Sequence, residues 1–385
     1  MSQDPLSLLV LVTSAAWLWL GWRWNRAISG LPCLPATPTQ PKDGTTLSVI
    51  ITACDEADTI EPALRSLLSQ TLPGLELIAV NDRSVDGTGE ILDRVAMSDD
   101  RLRVVHITTL PEGWLGKVHA MHRATEVATG DWILYTDADV HFSGEVLGRA
   151  VAHAEAESLD HLTLLPTMVS SNLLLDVTVM AFAQMLFHAI GMGTRKQIPF
   201  GAGAFNMVRR AALERSEGLE WIKMEVADDT GLALLIANAG GRSDFLVAID
   251  ELRVQWYPSL PAMFRGLEKN AYILVSQGKS LRMVGALLAG GLAVWGPALG
   301  PLLQPSLAAT IIGSGALLVF VGVTLRLRLF LHSRPWAALL APLGILLIGM
   351  VAMWSTFRTL RQGGITWRGT FYPLDQLIAG QRVKL

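Results

Sequence analysis

Charged side chains are scarce in this chain, at 17% of its 385 residues, and cysteine is nearly absent. Two thiols, Cys33 and Cys54, exclude a disulfide framework and offer no metal-ligand spacing. A net charge of −3 excludes the global basic field of a nucleic-acid binder, so no nucleic-acid partner is expected. Soluble enzymes carry charge on about a quarter of their residues. Here the deficit goes with a 51% hydrophobic content concentrated towards the two ends of the chain.

Leu6 to Trp22 is an uncharged apolar run long enough to span hydrocarbon, followed directly by Arg23 and Arg26. The positive-inside rule then puts the main domain in the cytoplasm, with Trp17, Trp19, Trp22 and Trp24 forming an interfacial belt. Three further apolar runs, Val284 to Leu303, Leu307 to Leu325 and Trp336 to Trp354, make a C-terminal membrane region. Basic residues flank the last run on both sides: Arg326, Arg328 and Arg334 before it, Arg358, Arg361 and Arg368 after it. A span with positive charge at both ends conflicts with a simple alternation, so one run is re-entrant or interfacial. The Gly/Pro-rich 284–303 run is the weakest of them, which leaves three or four spans. Leu173 to Ile190 is apolar but contains Asp176, Gln184 and His188, which suits a surface-lying amphipathic helix or a core helix better than a span.

Between the apolar ends, strand-like runs alternate with helical ones. Leu47 to Ala53, Leu75 to Asp82, Leu102 to Thr108 and Asp131 to Asp139 read as strands. Helical patterns over Ile60 to Ser69, Thr88 to Met97 and Lys117 to Ala128 separate them, which implies a doubly wound, mostly parallel α/β sheet. The organisation expected is an anchor (1–28), a Pro-rich linker (29–46), an α/β domain (47–280), membrane helices (281–357) and a basic tail (358–385).

Ligands of such sheets bind beyond the carboxyl ends of the strands, and acidic residues cluster there in the sequence. Asp137 and Asp139 alternate after the fourth strand, so both can face one hard cation, Mg²⁺ or Mn²⁺; a solvated turn is the bland alternative. Asp82 ends the second strand and can accept from ribose hydroxyls or a base N–H, whereas Asp86 suits a helix cap better. Glu56 can serve the same pocket or favour the next helix's N-terminus. Asp228 and Asp229 precede a helical run from Thr230; they read either as a helix-start pair or as the source of a general base.

Taken in order, IITACDEADTI, LIAVNDRSVDGT, GWLGKVHAMHRA, ILYTDADV, GAGAFNMVRRAAL and EVADDTGLA resemble the family-2 glycosyltransferases of GT-A fold, over about Leu47 to Tyr272. Within them the chain most resembles the membrane-bound hopene-associated and carotenoid (diaponeurosporenoate-type) enzymes, which share the anchor and a tail similar to ITWRGTFY. The resemblance implies that Glu56, Asp82, Lys117 and Asp137 hold a nucleotide-diphosphate sugar, a UDP-sugar being favoured. Asp139 and Asp137 would hold the metal, and Asp229, beside Asp228, would be the base. Gly201 and Gly203 would admit acceptor or sugar, unless they simply make a tight turn. Arg265 and Lys269 would offer charge to the leaving diphosphate.

The implied acceptor is a lipid hydroxyl on a hopanoid, carotenoid or polyprenyl carrier. The implied place is the cell's inner membrane, and the implied chemistry a single inverting displacement. Thr52 and Asp55 stand where the family's first motif usually has Pro and Asn, and FRGLEKNAY replaces the QxxRW of processive synthases. A single-transfer enzyme is therefore expected over the two rivals, a polymerising synthase with a membrane channel and a non-catalytic scaffold.

Overall fold

The structure, a computed structural model, describes residues 4–36, 41–189 and 199–384. Pro38, Ile190 and the His188 side chain of the runs discussed above lie outside the described part.

Helix α1 (Pro5–Ser29) opens the described chain. The α/β domain follows with β1 (Leu47–Ala53), α2 (Ile60–Leu68), β2 (Leu75–Asp82), α3 (Thr88–Ala96), β3 (Leu102–Ile107), α4 (Gly116–Thr125) and β4 (Trp132–Asp137). It continues with β5 (Val140–Phe142), α5 (Val146–Ala156), β6 (His161–Met168), α6 (Leu173–Ala189), β7 (Asn206–Arg209) and α7 (Arg210–Arg215). Then come α8 (Asp228–Asn238), β8 (Ser243–Val254) and α9 (Leu260–Ala271). Helices α10 (Ser280–Trp295), α11 (Leu299–Leu303), α12 (Leu307–Leu331) and α13 (Pro335–Gln362) lead to a hairpin, β9 (Gly364–Trp367) and β10 (Thr370–Pro373), and to α14 (Leu374–Gly380).

Eight strands form one sheet in the order β3-β2-β1-β4-β7-β6-β8-β5. β3, β2, β1 and β4 run parallel, and β7 is antiparallel to both of its neighbours. Both faces are covered, so each central strand is apolar throughout and its alternate residues feed different layers. Val49 and Ile51 of β1 join the layer under α2, α3 and α5, while Ile50 joins the layer under α4 and α8. The second layer also takes in Ile365, Tyr372 and Leu377, so the residues after α13 are part of the α/β core.

Among the described residues three helices are long and apolar enough to cross a membrane: α1, α12 and α13. α1 and α12 run parallel, because Ser7 meets Ser306 at their starts (3.1 Å) and Ser29 meets Arg326 near their ends (3.0 Å). The chain must therefore return between them, and it does so through α10 and α11. Trp17 bonds the carbonyl of Ala293, and a side chain on Gly300 would press on Val10. The 284–303 run thus lies antiparallel to α1 as two helices, α10 itself being only 16 residues long.

The tryptophan belt needs correction. Trp17 and Trp24 are buried, packing edge-on to each other, with Trp17 also against Phe320. Only Trp19 and Trp22 face outward. The seven-residue spacing of Trp17 and Trp24 puts both on the face that meets α12.

α6 is a packed helix rather than a surface-lying one, with Leu175, Val177, Met180 and Ala181 buried against α12 and α13. The Asp176 carboxylate and the Gln184 amide nitrogen are answered by those neighbours. Asp176 is paired with Arg334 at 2.8 Å, and Gln184 donates to Thr324 at 2.8 Å. Both ends of α13 consequently abut the α/β domain. Arg334 holds its start to Asp176, and Gly363, at φ +70°, stops the helix and turns the chain into the β9–β10 hairpin over the strand ends.

Candidate active site

The carboxyl ends of β1, β2 and β4 open into a cleft of about 420 Å³, closed on its other sides by α4, α8, α9 and the hairpin. Glu56, Asp82, Lys117, Asp137, Asp139, Asp228, Asp229, Gly203 and Lys269 all line it. Arg265, one turn before Lys269 on α9, is exposed and is not part of the lining. Gly201 lies behind the cleft wall, against Asp229.

Lys117, in the first turn of α4, joins the two acidic motifs. Its Nζ is 2.8 Å from Asp137 Oδ1 and 2.9 Å from Asp228 Oδ2. Burial opposes its charge, but Asp137 and Asp228 outweigh burial and hold the ammonium well above its ordinary pKa. Asp137 in turn is held below its ordinary value, because Lys117 outweighs the burial that would raise it. Its backbone N–H donates to Gly203 O at 3.0 Å, and any side chain at 203 would strike its carboxylate. Gly203 is a glycine so that the carboxylate fits.

Asp139 has no cationic partner among the described residues. Burial, then Asp137 and Glu56, push its carboxyl up to about 7. An uncompensated carboxylate beside a second one is the environment a hard cation would relieve, and oxygen donors are the right kind for Mg²⁺ or Mn²⁺. Among the described residues no three His, Cys, Asp or Glu side chains form a complete cage. A bound ion would therefore draw further ligands from water and phosphate, as Mg²⁺ commonly does.

Asp228 and Asp229 occupy the first turn of α8, where the helix dipole favours negative charge. Asp228 is committed to Lys117, whereas Asp229 has no ion pair among the described residues and accepts only from the N–H of Thr230, at 2.7 Å. Burial first, then Asp228, raises the Asp229 carboxyl well above the carboxylate range. The two adjacent aspartates thus differ in their surroundings: Asp228 is ion-paired with Lys117, whereas Asp229 has no ion pair among the described residues.

On the opposite flank Asp82 is buried, at 4% exposure, and both its oxygens are taken by Arg83, at 2.7 and 3.0 Å. Arg83 has φ +59°, which folds its side chain back over the strand end. The helix start at Gly116 passes so close that a side chain there would meet both Arg83 and Asp82 at 2.7 Å. Glu56 is paired with Arg368 of the hairpin. The loop carrying Glu56 is tied to the loop after β2, where Asp86 accepts from the N–H groups of Ala57 and Thr88, both at 3.0 Å, while Gly87 takes the N-cap position of α3.

The far end of the cleft is apolar. Leu165, Met168, Phe182, Leu186, Trp256 and Leu267, from β6, α6, α9 and the chain before α9, line it. Phe182 and Trp256 are in ring contact, with centroids 4.4 Å apart.

Residues 48–216 match the sequence model of Glycosyl transferase family 2. That region, under half of the chain, is similar to the family, and the mostly parallel α/β sheet is of the GT-A type. Over 114 residues this glycosyltransferase-like chain is 33% identical to the uncharacterized glycosyltransferase EpsJ of Bacillus subtilis, covering 30% of the chain and 32% of that protein. Over 102 residues it is 39% identical to glycosyltransferase AglD of Haloferax volcanii, covering 25% of the chain and 16% of that protein. The chain thus spans a third or less of the length of these curated relatives. Among solved structures, the mannosyltransferase PcManGT from Pyrobaculum calidifontis, in complex with GDP-Man and Mn²⁺, aligns over 91% of this chain and 99% of its own. The TM-score is 0.58 at 20% identity, a likeness of fold.

Arg83, Glu225, Trp367, Arg368 and Tyr372 stand in motifs or flanks read from the sequence, but their places around the cleft come from the structure. Glu225 is fully buried, and its Oε2 accepts from the backbone of Arg382 and Val383, at 2.5 and 2.9 Å. A lone glutamate and a tail beyond the membrane helices carry no local signal of such long-range contacts.

Proposed function

We propose that the protein is a membrane-bound inverting glycosyltransferase that moves a sugar from a nucleotide-diphosphate donor to the hydroxyl of a lipid. The observation that carries the reading is the division of one cleft. One end gathers carboxylates and cations, the other is lined by aromatic and aliphatic side chains, and the unpaired Asp229 lies among the lining. An ordinary sugar acceptor needs no apolar chamber, whereas a lipid bearing a hydroxyl fills both characters at once.

Asp229 removes the proton from the acceptor hydroxyl. The oxygen bonds to the anomeric carbon as the bond from that carbon to the diphosphate breaks, and the nucleotide diphosphate leaves with the electron pair. No covalent sugar–protein intermediate is required. Lys117 holds Asp137 and Asp228 in register across the cleft, and Lys269 offers positive charge to the leaving group. A divalent cation bound at Asp139 and Asp137 would neutralise the diphosphate.

By the positive-inside rule, Arg23 and Arg26 at the domain-side end of α1 favour a cleft on the cytoplasmic side of the inner membrane. Both ends of α13 meet the same domain, so this helix lies along the membrane face instead of crossing it. Its basic flanks then fall on one side, which removes the conflict in the charge pattern.

The test is transfer from labelled UDP- and GDP-sugars to extracted cell lipids by the detergent-purified protein, read by mass spectrometry. Asp229→Asn and Asp139→Ala should each abolish transfer; near-normal turnover in either variant refutes the assignment.

A further inference from the structure

The β9–β10 hairpin reaches the polar end of the cleft at three points. Arg368 pairs with Glu56, Thr370 Oγ1 accepts from Arg83 at 3.0 Å, and the Tyr372 hydroxyl accepts from the Gly116 N–H at 3.3 Å. Trp367 lies under the Lys269 ammonium, 3.9 Å from its ring centroid. Trp367 and Thr370 pair across a two-residue turn, Arg368-Gly369, with φ +46° and +75°. Positive φ at both central positions is the type I′ geometry, which favours Asn, Asp or Gly. Arginine there costs backbone strain, and the strain places a guanidinium at the tip of the hairpin, over the strand ends.

The charges of the cleft show what that guanidinium is for. Arg83 is spent on Asp82, and Lys117 on Asp137 and Asp228. Among the described lining residues two cations remain for an incoming anion: Lys269, held on an indole face with no carboxylate partner, and Arg368, whose one carboxylate partner is Glu56 and which also donates to the Asp55 carbonyl at 3.4 Å. An arginine fork matches a phosphate at two points and suits a diphosphate better than a single ammonium does.

We propose that Arg368 is a donor-binding residue that exchanges Glu56 for the diphosphate of the nucleotide. The same exchange frees the Glu56 carboxylate to accept donor hydroxyls, so the hairpin covers the pocket before binding and grips the donor after it. This rests on the glycosyltransferase reading above.

The experiment measures equilibrium binding of UDP and GDP, each with Mn²⁺, and of uridine and guanosine, to the full chain in detergent. Arg368→Gln should weaken binding of the preferred diphosphate about 10- to 100-fold, as expected for a lost charge-assisted contact. The matching nucleoside should change less than about threefold, within the scatter of a remote substitution. Arg368→Lys should fall between, keeping charge but losing the fork, and it serves if the glutamine variant does not fold. In turnover, donor KM should rise while acceptor KM stays.

Unchanged diphosphate affinity in both variants overturns the proposal. So does equal loss of diphosphate and nucleoside, which would mark a structural prop. Wild-type protein that binds neither diphosphate overturns instead the donor-site reading on which it rests.

Discussion

Gly201 packs directly against the backbone carbonyl of Asp229, so closely that any side chain at 201 would overlap it. The Asn206 amide donates to that same carbonyl at 2.9 Å. The glycine motif and the acidic pair, 28 positions apart in sequence, therefore form one unit that fixes where Asp229 stands.

Gly201→Ala should push the start of α8 away. Overpacking of this kind costs about 1–3 kcal/mol of stability. A misplacement of about 1 Å lowers turnover by about 100-fold. Steady-state kinetics should show kcat falling with donor KM nearly constant. A variant with normal kcat would mean that Asp229 needs no such placement.

The pH profile of turnover should report on Asp229. A base must be unprotonated to act, and burial together with Asp228 holds this carboxyl above its ordinary 3.8. The active fraction therefore grows as pH rises through that raised value and shrinks as pH falls through it. Activity should still be climbing above about pH 5, where an ordinary carboxylate is already ionised. A wild-type profile flat from about pH 5 upward would remove Asp229 from the role.

Lys117→Met should be the most damaging single change at the cleft. It leaves Asp137 and Asp228 without their shared cation, a loss worth about 3 kcal/mol, the low end for a broken buried pair because the lysine is partly open to solvent. Thermal unfolding in detergent should show the drop. Adding Asp228→Asn should recover part of it, since one of the two stranded charges is then gone. No recovery would mean that the lysine acts on Asp137 alone.

Much of the fold and site could be read from local pattern. β1 and β2 begin and end where their apolar runs do, because buried parallel strands leave a plain record. Asp82, Asp137 and Asp139 were visible because each follows such a run. Arg368 was not, since its partner Glu56 lies 312 positions away and no local pattern encodes that distance. Trp17 and Trp24 misled for a related reason: amphipathic rings suit an interface and a helix–helix seam equally, and only α12 decides between them.

The course of α13 has a direct test. With Cys33 and Cys54 replaced by serine, single cysteines at His332, Gln304 and Arg361 can be labelled in sealed inverted vesicles with a membrane-impermeant maleimide. His332→Cys, just before α13, and Arg361→Cys, in its last turn, should both react from the cytoplasmic face, while Gln304→Cys, between α11 and α12, should not. Labelling of positions 332 and 361 from opposite faces would make α13 a true span.

The apolar end of the cleft should answer to acceptor chemistry alone. Phe182 and Trp256 are uncharged and in ring contact with each other, so their truncation removes burial without deleting a charge. Burying one such ring is worth about 1.5–3 kcal/mol. Phe182→Ala and Trp256→Ala should therefore raise the lipid acceptor's KM by about tenfold or more, leaving donor KM as it was. With a short-chain acceptor that does not reach the aromatic wall, the same variants should match wild type. If truncation harmed both acceptors alike, the wall would be scaffolding, and the hydroxyl that Asp229 deprotonates would have to arrive by another route.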